Sequence, residues 1–335
     1  MQILICTAGY MLCRKSVQTN IKLEVDSVKK ILILANSSGG LYDFRNDFVL
    51  GLLKDYEVYV SIPDEVKTKE LAEEGCKIIK TPINRRGVNP VEDFKLFLAY
   101  RKLMKEIKPD LVATYTIKPN IYGGMAAQSR KLPYIETITG LGGAFDRKGL
   151  FLKLIVTLYR IGMKRAECIF FQNRENRQIF RDFGIEGKSE CLVNGSGVDL
   201  IRHTFEPYPT DEKCQFLFVG RVMKERGIVE FLEAAKKLHS ENVEFAILGY
   251  CDEDYQQQLD DLEKQGVITQ LGFHTEVHPY LKAASAIVIA SFHEGMSNAL
   301  IEASATGRPV IASRISGCKE AFEEGITGFG FTPGK

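Results

Sequence analysis

The sequence predicts an α/β protein with two doubly wound, parallel-sheet domains that face each other across a cleft. Three observations predict this fold class. Apolar runs such as KKILILAN (29–36) lack polar alternation, as strands buried on both faces do. Amphipathic helical patterns separate these runs. The strand–helix alternation occurs in two series, and a glycine- and proline-bearing stretch at 193–212 separates them.

The first series of elements predicts a domain over residues 29–195. Its predicted strands are KKILILAN, YEVYVSI, CKIIKTPI, DLVATYT, PYIETIT, ECIFFQN and SECLVNG. Its predicted helices are 43–54, 65–74, 90–107, a segment after Pro119, 149–166 and 175–183. Pro109 limits the third helix, since proline cannot continue a helical hydrogen-bond ladder.

The second series predicts a domain over residues 213–335. Its predicted strands are QFLFVG, VEFAILG, VITQLGF, AIVIAS and RPVIAS. Its predicted helices are 227–239, 253–265, 276–283, one that begins near Ser297, and 318–324. The segments VNGSGVDL and EPYPTDE predict a linker over 196–212, because glycine and proline interrupt regular structure there.

The composition is that of a soluble globular protein. The chain has 335 residues, of which 45% are hydrophobic and 26% charged. It has no apolar run of the roughly 18 to 20 residues that a membrane-spanning helix needs. The eight cysteines form no C-x-x-C pair, which favours free thiols in a reducing cytoplasm.

Residues 1–28 precede the first strand pattern and are expected to be a poorly ordered extension. The stretch Thr7-Ala8-Gly9 has the small residues of a cleavage site, but the segment lacks a basic n-region. A signal peptide is therefore disfavoured.

Two arginines follow a predicted strand of the second domain. QFLFVG leads directly into Arg221, Arg226 follows five residues later, and Gly220 and Gly227 bracket the pair. Arginine forks match phosphate oxygens and keep their charge when partly buried. The loop is therefore a candidate phosphate site, and the alternative is a pair of solvated surface arginines.

Two glutamates flank a predicted helix start in HEGMSNALIEASATGRP (293–309). Ser297 or Asn298 is a good N-cap, and the free N–H groups of a helix start attract anions. Glu302 lies on the second turn, where its carboxylate can accept from two vicinal ribose hydroxyls. Glu294 precedes the helix and can reach a different hydroxylated group. Taken singly, each glutamate is equally consistent with a solvated surface acid.

The first predicted strand ends in Asn36-Ser37-Ser38-Gly39-Gly40. The glycine pair would let the backbone approach a phosphate. The segment is not G-x-G-x-x-G, and no acidic residue stands convincingly about 20 positions on, so a dinucleotide site is weakly supported.

No metal site is predicted. Asp252-Glu253-Asp254 reads D-x-D, but it follows a strand at a helix start, where acids act as caps. His274 and His278 are four residues apart, yet Pro279 follows and no third ligand is evident.

Charge is unevenly distributed along the chain. Residues 29–200 carry 28 Lys/Arg against 21 Asp/Glu, and residues 201–335 carry 13 against 20. The first half is therefore basic and could meet an anionic lipid or phosphate-bearing acceptor, although chance asymmetry explains it as well. The segment KGLFLKLIVTLYRIGMKRA (148–166) has an apolar stripe among cations, which suits either a membrane surface or the core.

The E-x7-E pattern of EGMSNALIE, together with FVGRVMKERG and VNGSGVDL, resembles the retaining family 4 glycosyltransferases, which have the GT-B fold. TYTIKPNIYGG, ITGLGGAF and INRRGVNP resemble a bacterial branch that adds a hexose or N-acetylhexosamine to undecaprenyl-diphosphate-linked sugars. The resemblance covers residues 30–335. It implies transfer from a nucleotide-sugar, with UDP favoured, to a lipid-linked saccharide.

The resemblance also implies residue roles. Arg221 and Arg226 would bind the donor diphosphate and Glu294 the donor sugar, and these three form the predicted catalytic group. Arg226 stands where the family more often has lysine. Glu302 would hold the ribose, and Phe273 and His274 would lie near the base. The predicted donor-binding residues are Gly39, Gly40, Gly220, Phe273, His274, Met296, Ser297, Asn298 and Glu302, and the predicted acceptor-binding residues are Arg85, Arg86, Lys118 and Asn120.

By the same resemblance, the reaction retains configuration without a protein nucleophile, a metal or a cofactor. The expected location is the cytoplasm, at the inner face of the cytoplasmic membrane, and no nucleic-acid partner is expected. The family normally continues past TPGK to a helix that crosses back to the N-terminal domain, so this helix is expected to be missing.

Three alternatives remain open at this stage. The chain could be a non-catalytic, truncated subunit that binds a nucleotide-sugar. It could be a UDP-sugar epimerase of the same fold. Such an enzyme should need a histidine in the N-terminal half, but the sequence has no histidine before His203. The alternation alone also permits an NAD-dependent oxidoreductase.

Overall fold

The computed structural model describes residues 28–84, 89–145, 149–210 and 213–334. The chain divides into two compact units, one up to Ser196 and one from Gly197. The expected N-terminal extension lies, apart from Val28, outside the described residues. No helix in the described ranges is both long enough and apolar enough to cross a membrane.

The first unit is a seven-stranded parallel sheet of order β3-β2-β1-β4-β5-β6-β7. Its strands are β1 (Lys30–Leu34), β2 (Glu57–Ile62), β3 (Lys77–Lys80), β4 (Leu111–Tyr115), β5 (Tyr134–Ile138), β6 (Cys168–Phe171) and β7 (Glu190–Leu192). Its helices are α1 (Ser38–Leu53), α2 (Thr68–Glu73), α3 (Pro90–Ile107), a π-helical turn (Pro119–Gly123) that continues into α4 (Gly124–Arg130), α5 (Leu150–Met163) and α6 (Arg174–Asp182).

Helices cover both faces of this sheet, and β1 shows how. Its alternate residues Ile31 and Ile33 face a cluster with α1 and α2, whereas Leu32 and Leu34 face a second cluster with α3 to α6. All four side chains are buried, which explains why the strand reads as an unbroken apolar run. The double covering predicted from the sequence is confirmed.

The second unit is a six-stranded parallel sheet of order β10-β9-β8-β11-β12-β13. Its strands are β8 (Cys214–Val219), β9 (Val243–Leu248), β10 (Thr269–Gly272), β11 (Ala286–Ile289), β12 (Val310–Ser313) and β13 (Gly328–Phe331). Its helices are α7 (Ile228–Leu238), α8 (Gln256–Lys264), α9 (His278–Ala283) and α10 (Asn298–Thr306). The strand order reverses between β8 and β11, and in the first unit between β1 and β4.

One sequence prediction about the last segment is wrong, and one strand there is not predicted. Residues 318–324 do not form a helix but a turn, because the Glu320 carboxylate folds back to accept from Ser316 Oγ at 2.7 Å and from the backbone N–H of Gly317 at 2.6 Å. The glycine-rich GFGF that follows carries no strand prediction, yet it forms β13 beside β12. Pairing to an existing edge overrides the low strand propensity of glycine.

Residues 199–210, here called the strap, lie at the start of the second unit and pack against its later elements. The Arg308 guanidinium is buried and donates to the carbonyls of Glu206 at 3.1 Å and Pro207 at 2.6 Å. It also donates to the carbonyls of Leu281 at 3.2 Å and Lys282 at 3.0 Å. One buried cation therefore holds this strap to the helix α9 region by satisfying backbone acceptors on both sides.

Glu136 is a carboxyl group inside the first unit. It lies on β5, is fully buried, and neither of its oxygens has a hydrogen-bond partner among the described residues. Burial raises the pKa of this carboxyl well above its ordinary value, because the charged form loses its hydration. Glu136 is therefore protonated in the folded protein at acidic pH. Its ionisation at higher pH lowers the stability of the folded state.

The pH dependence of folding tests this. The folded protein binds the Glu136 proton over a window in which the unfolded chain has lost it, so unfolding free energy falls as pH rises above the ordinary glutamate pKa. The slope is at most about 1.4 kcal/mol per pH unit for one group. We expect Glu136→Gln to flatten that decline in denaturant melts between pH 5 and pH 8. Glu73→Gln on exposed α2 is the control, and an unchanged slope in Glu136→Gln would contradict the assignment.

Candidate functional site

Two loops of the second unit meet at the carboxyl edge of its sheet. The first follows β8 (220–227) and the second follows β11 (290–297), and these strands are hydrogen-bonded neighbours where the strand order reverses. The backbone N–H of Phe292 donates to the carbonyl of Glu225 at 2.9 Å. In open parallel sheets this crevice is where ligands bind.

Arg226 and Glu294 join these loops through an ion pair between Nη1 and Oε1. Glu294 Oε1 also accepts from Ser291 Oγ at 3.0 Å. The exposed fractions of the two side chains are 30% and 9%. Burial lowers the pKa of Arg226 to about 10, with neighbouring Arg221 adding to the effect, so the guanidinium stays charged at neutral pH.

Arg221 lies near the start of the same loop. Its Nη1 contacts Asp252 Oδ2 at 2.7 Å, and it is more exposed than Arg226. Glu253 accepts from the backbone N–H of Lys224 at 2.8 Å. Two acids of the D-x-D triplet thus position the arginine-bearing loop. Within the described ranges, no cluster of three or more His, Cys, Asp or Glu is arranged to hold a metal ion.

Helix α10 begins beside the Arg226–Glu294 pair. Its N-cap, Ser297, is buried and extended, and the side chain does not cap the helix in the described structure. Instead the backbone N–H of Ser297 donates to the carbonyl of Gly317 at 2.8 Å. Asn298 Oδ1 is buried without a partner among the described residues. No side chain caps the first-turn N–H groups of α10, and the Asn298 amide oxygen beside them accepts no hydrogen bond from the described residues.

The remaining predicted residues of this edge fall nearby along the chain. Glu302 lies on the second turn of α10 and Met296 directly precedes the N-cap. Glu302 is half-buried. Gly220 has φ +145°, and a side-chain carbon added there would meet open space. Gly227 has φ +74° and packs against the backbone of Ala290.

A cavity of about 280 Å³ lies at the carboxyl ends of β9 and β10. Tyr250 and Phe273 contribute half-exposed rings whose centroids are 5.7 Å apart at 77°. His274 is not among the lining residues. Its Nε2 lies 2.9 Å from the carbonyl of Leu271 and its ring contacts Tyr280. The cavity is lined by Val222, Ile247, Gly249, Tyr250, Cys251, Gln256, Leu259, Gln270, Gly272 and Phe273.

Sequence reasoning misses most of this lining. Of the predicted site residues only Phe273 belongs to it. The available signal is the polar and aromatic GYCDED that follows the buried strand β9, at the edge where strands end. Its acids suggest only a metal motif or a helix cap, so the aromatic residue beside them carries no prediction.

In the first unit, Gly39 and Gly40 lie in the first turn of α1 rather than in a loop before it. A side-chain carbon at either position would meet only ordinary contacts, so packing does not require glycine there. The helix start already holds a carboxylate. Asp64 accepts from the backbone N–H of Ser38 at 2.9 Å and from its hydroxyl.

The predicted acceptor residues of this unit are engaged internally. Lys118 Nζ contacts Asp93 Oδ1 at 2.7 Å, and both side chains are largely buried. Asn120 is buried, accepts from Thr114 Oγ1 at 2.6 Å and donates to the carbonyl of Thr137 at 3.0 Å. Arg85 and Arg86 lie outside the described residues. The acceptor roles of all four stay predictions.

Comparison with known families agrees with this architecture. The family model of the 4-like glycosyl transferases matches residues 30–173, and that of the group 1 glycosyl transferases matches residues 213–335. The chain belongs to the glycosyltransferases with these two domains, and its fold is GT-B. The resemblance and the fold class predicted from the sequence are therefore confirmed.

Two relatives of known name and one solved structure are similar to most of the chain. The chain is 27% identical over 319 residues to the N,N'-diacetylbacillosaminyl-diphospho-undecaprenol alpha-1,3-N-acetylgalactosaminyltransferase of Campylobacter jejuni, covering 89% of this chain and 84% of that protein. It is 25% identical over 321 residues to the UDP-Gal:alpha-D-GlcNAc-diphosphoundecaprenol alpha-1,3-galactosyltransferase of Escherichia coli, covering 89% and 81%. HepE of Anabaena, solved with UDP-glucose, superposes with a TM-score of 0.73 at 18% identity, covering 91% and 86%.

Gly227 tests whether the two loops depend on close backbone contact. An alanine Cβ there would clash with the carbonyl oxygen of Ala290, whereas Gly266 has a similar φ, +71°, with open space around it. We expect Gly266→Ala to cost about 1 kcal/mol of unfolding free energy from backbone strain alone. Gly227→Ala should cost at least twice that in urea melts, and equal losses would contradict the contact.

Proposed function

We propose that the chain is a retaining glycosyltransferase that moves a hexose or N-acetylhexosamine from a UDP-sugar to a lipid-linked saccharide. One observation carries the proposal. The Arg226–Glu294 ion pair lies beside the uncapped start of α10, with Arg221 on the same loop, at the carboxyl edge of a parallel sheet. Guanidinium groups and helix N–H groups are the donors that a diphosphate requires.

The cavity beside β9 and β10 suits the base of the donor. Its volume of about 280 Å³ and the half-exposed rings of Tyr250 and Phe273 fit one planar heterocycle. Gln256 and Gln270 add amide donors and acceptors to the lining. Glu302, on the second turn of α10, is assigned to the ribose hydroxyls, and His274 is assigned only a supporting position.

The charges of the edge explain the chemistry. Cleavage of the anomeric C–O bond leaves negative charge on the departing diphosphate, and fixed cations with a helix start stabilise it. Glu294 is already paired to Arg226 and Ser291, so it is poorly suited to act as a nucleophile. Retention of configuration is taken from the family resemblance, and without a protein nucleophile it requires the acceptor to attack from the face that the diphosphate leaves. With two arginines on the leaving group, the proposal needs no metal or further cofactor.

The acceptor proposal rests on the relatives. Both the Campylobacter jejuni and the Escherichia coli proteins are named for sugars carried on undecaprenyl diphosphate. We assign this chain an acceptor of the same kind, in bacterial surface glycan assembly at the inner face of the cytoplasmic membrane.

The donor site makes a measurable prediction. UDP-sugars, but not GDP- or ADP-sugars, should raise the melting temperature of the wild type by a few degrees at saturation. Arg226→Ala and Glu302→Ala should lose most of that rise, because each removes a ligand contact. Lys236→Ala, which removes an exposed cation paired with Glu233 on α7, should behave like the wild type.

Two results would count against the donor proposal. One is a wild type that no nucleotide-sugar stabilises, and the other is Arg226→Ala and Glu302→Ala variants with an unchanged rise. UDP release in the presence of a GlcNAc-diphosphate lipid separates an enzyme from a non-catalytic subunit that only binds the donor.

The first unit offers a surface for an anionic bilayer. On α3 the side chains of Val91, Phe94 and Leu98 are 63%, 59% and 44% exposed at helical spacing, and Lys95 and Lys102 are exposed beside them. Both this helix and α5 cover the same face of the sheet. Apolar side chains flanked by lysines match the acyl boundary and the head groups of anionic lipid.

Helix α5 divides the stripe predicted from its sequence. Leu150 is 85% and Leu154 is 46% exposed, whereas Ile155 is buried and Phe151 and Leu158 pack against the core. Lys153 and Lys164 are exposed. One side of α5 therefore packs in the core, and we assign the exposed side, with Leu150 and Leu154, to the bilayer.

Vesicle sedimentation tests this surface. The wild type should bind phosphatidylglycerol-containing vesicles at low salt and release them as salt rises, since the attraction is screened. Phe94→Asp should weaken vesicle binding about tenfold or more, because it replaces apolar area that the bilayer would bury with a negative charge. Val66→Asp changes an equally exposed residue before α2, on the opposite face, and should have little effect. No binding by the wild type, or equal loss in both variants, would contradict it.

A further inference from the structure

Thr116 has an unusual backbone conformation at a sensitive position. It directly follows β4, where the strand order of the first unit reverses, and its φ is +75°. A β-branched residue rarely adopts this left-handed conformation, because its side chain crowds the backbone. Such outliers persist only where the surrounding structure holds them, and they cluster at functional sites.

The other left-handed residues have an ordinary explanation. Of the non-glycine residues that the structure describes, only Lys108 and Lys131 share the positive φ. They are the C-caps of α3 and α4, and their N–H groups donate to carbonyls of the preceding turn. Thr116 comes before a helical segment rather than after one, so helix capping does not account for its conformation.

The hydroxyl of Thr116 is also unused. Its Oγ1 is buried and has no hydrogen-bond partner among the described residues. A threonine at a helix start ordinarily accepts from an N–H two or three residues on. Pro119, three residues on, has no N–H, and the N–H of Lys118 makes no such bond. Thr114, two residues earlier, donates to Asn120 Oδ1. The local network therefore satisfies the neighbouring threonine and leaves this one with both its donor and its acceptor capacity.

Uncharged polar residues follow the strands on either side of Thr116. Leu34 is opposite Thr114 on β1, and Thr137 is opposite Tyr115 on β5. The registers therefore place Thr116 between the segments 36–37 and 138–139, which bring Asn36, Ser37 and Thr139 to the same edge. All three are half-buried. Hydroxyl and amide groups at the ends of three adjacent strands suit the hydroxyls of a sugar better than a phosphate.

The backbone after Thr116 carries a second rare feature. Residues Pro119–Gly123 form a π-helical turn, and such turns occur frequently at functional sites. Its buried Asn120 bonds to β4 and β5 and so fixes the turn to the strand ends. The strained residue and the π-helical turn thus adjoin one another at the carboxyl edge of the sheet.

We propose that Thr116 is an acceptor-positioning residue, whose hydroxyl exchanges hydrogen bonds with a saccharide hydroxyl of the lipid-linked acceptor. The assignment rests on the proposed function. The strained backbone holds the hydroxyl where no group of the described residues satisfies it, and the acceptor supplies the partner. The donor-side groups of the second unit have no part in this contact.

Three substitutions at Thr116 separate hydroxyl, shape and strain. T116S keeps the hydroxyl, T116V keeps the β-branched shape, and T116G removes the side chain while relieving the left-handed conformation. With a UDP-sugar and a GlcNAc-diphosphate lipid, T116V and T116G should raise the KM for the acceptor about tenfold or more, as loss of one buried hydrogen bond does. The KM for the UDP-sugar should stay within a factor of about two of wild type, and T116S should lie close to wild type. T116G should melt no lower than wild type.

Wild-type acceptor KM in both T116V and T116G overturns the proposal, and so does an equal rise of both KM values. A T116S variant as impaired as T116V would show that the methyl group or the packing matters, not the hydroxyl, and would also overturn it. If the wild type transfers no sugar from any donor, the proposed function fails instead. Calorimetric binding of the same acceptor lipid to the four proteins still decides the role of Thr116.

Discussion

The ion pair between Arg226 and Glu294 joins two loops that are 68 residues apart in the chain. Strand order brings these loops together, because β8 and β11 are neighbours in the sheet. Adjacency alone would leave long side chains free to rotate. The paired carboxylate, with Ser291 as a second partner, fixes the guanidinium in one orientation, and removing either partner would strand a half-buried charge. The loop that carries Glu294 leads directly into the start of α10, so the same ion pair also positions this helix start.

Each arginine of this edge already has an acid beside it. Arg221 pairs with Asp252 as Arg226 pairs with Glu294, so the loop carries oriented cations with little net charge. An incoming diphosphate would therefore exchange partners rather than meet loose side chains. Such preorganisation lowers the entropy that binding must overcome. The two units also differ in chemistry: paired arginines lie at this edge, whereas Asn36, Ser37 and Thr139 follow the strands beside Thr116.

The sequence predicts nearly every helix and strand, because strands buried on both faces and amphipathic helices leave strong periodic signals. It fails at 318–331, where Glu320 bonds back to its own turn and GFGF gains order only from its neighbour β12. The Arg226–Glu294 proximity is foreseeable from strand ends. The internal partners of Lys118 and Asn120 are not, since Asp93 and Thr137 lie far from them in the chain. Nor does any local pattern announce a positive φ at Thr116.

The buried Arg308 has a practical consequence for dissecting the chain. Its guanidinium is shared between carbonyls of the strap, at Glu206 and Pro207, and carbonyls near α9. A recombinant fragment that began at residue 213, where the strand pattern starts, would lack the strap and expose a cation evolved for the interior. Independent expression of the second unit therefore calls for a start near Gly197, so that residues 199–210, which resemble a linker in sequence, are kept as part of the folded unit.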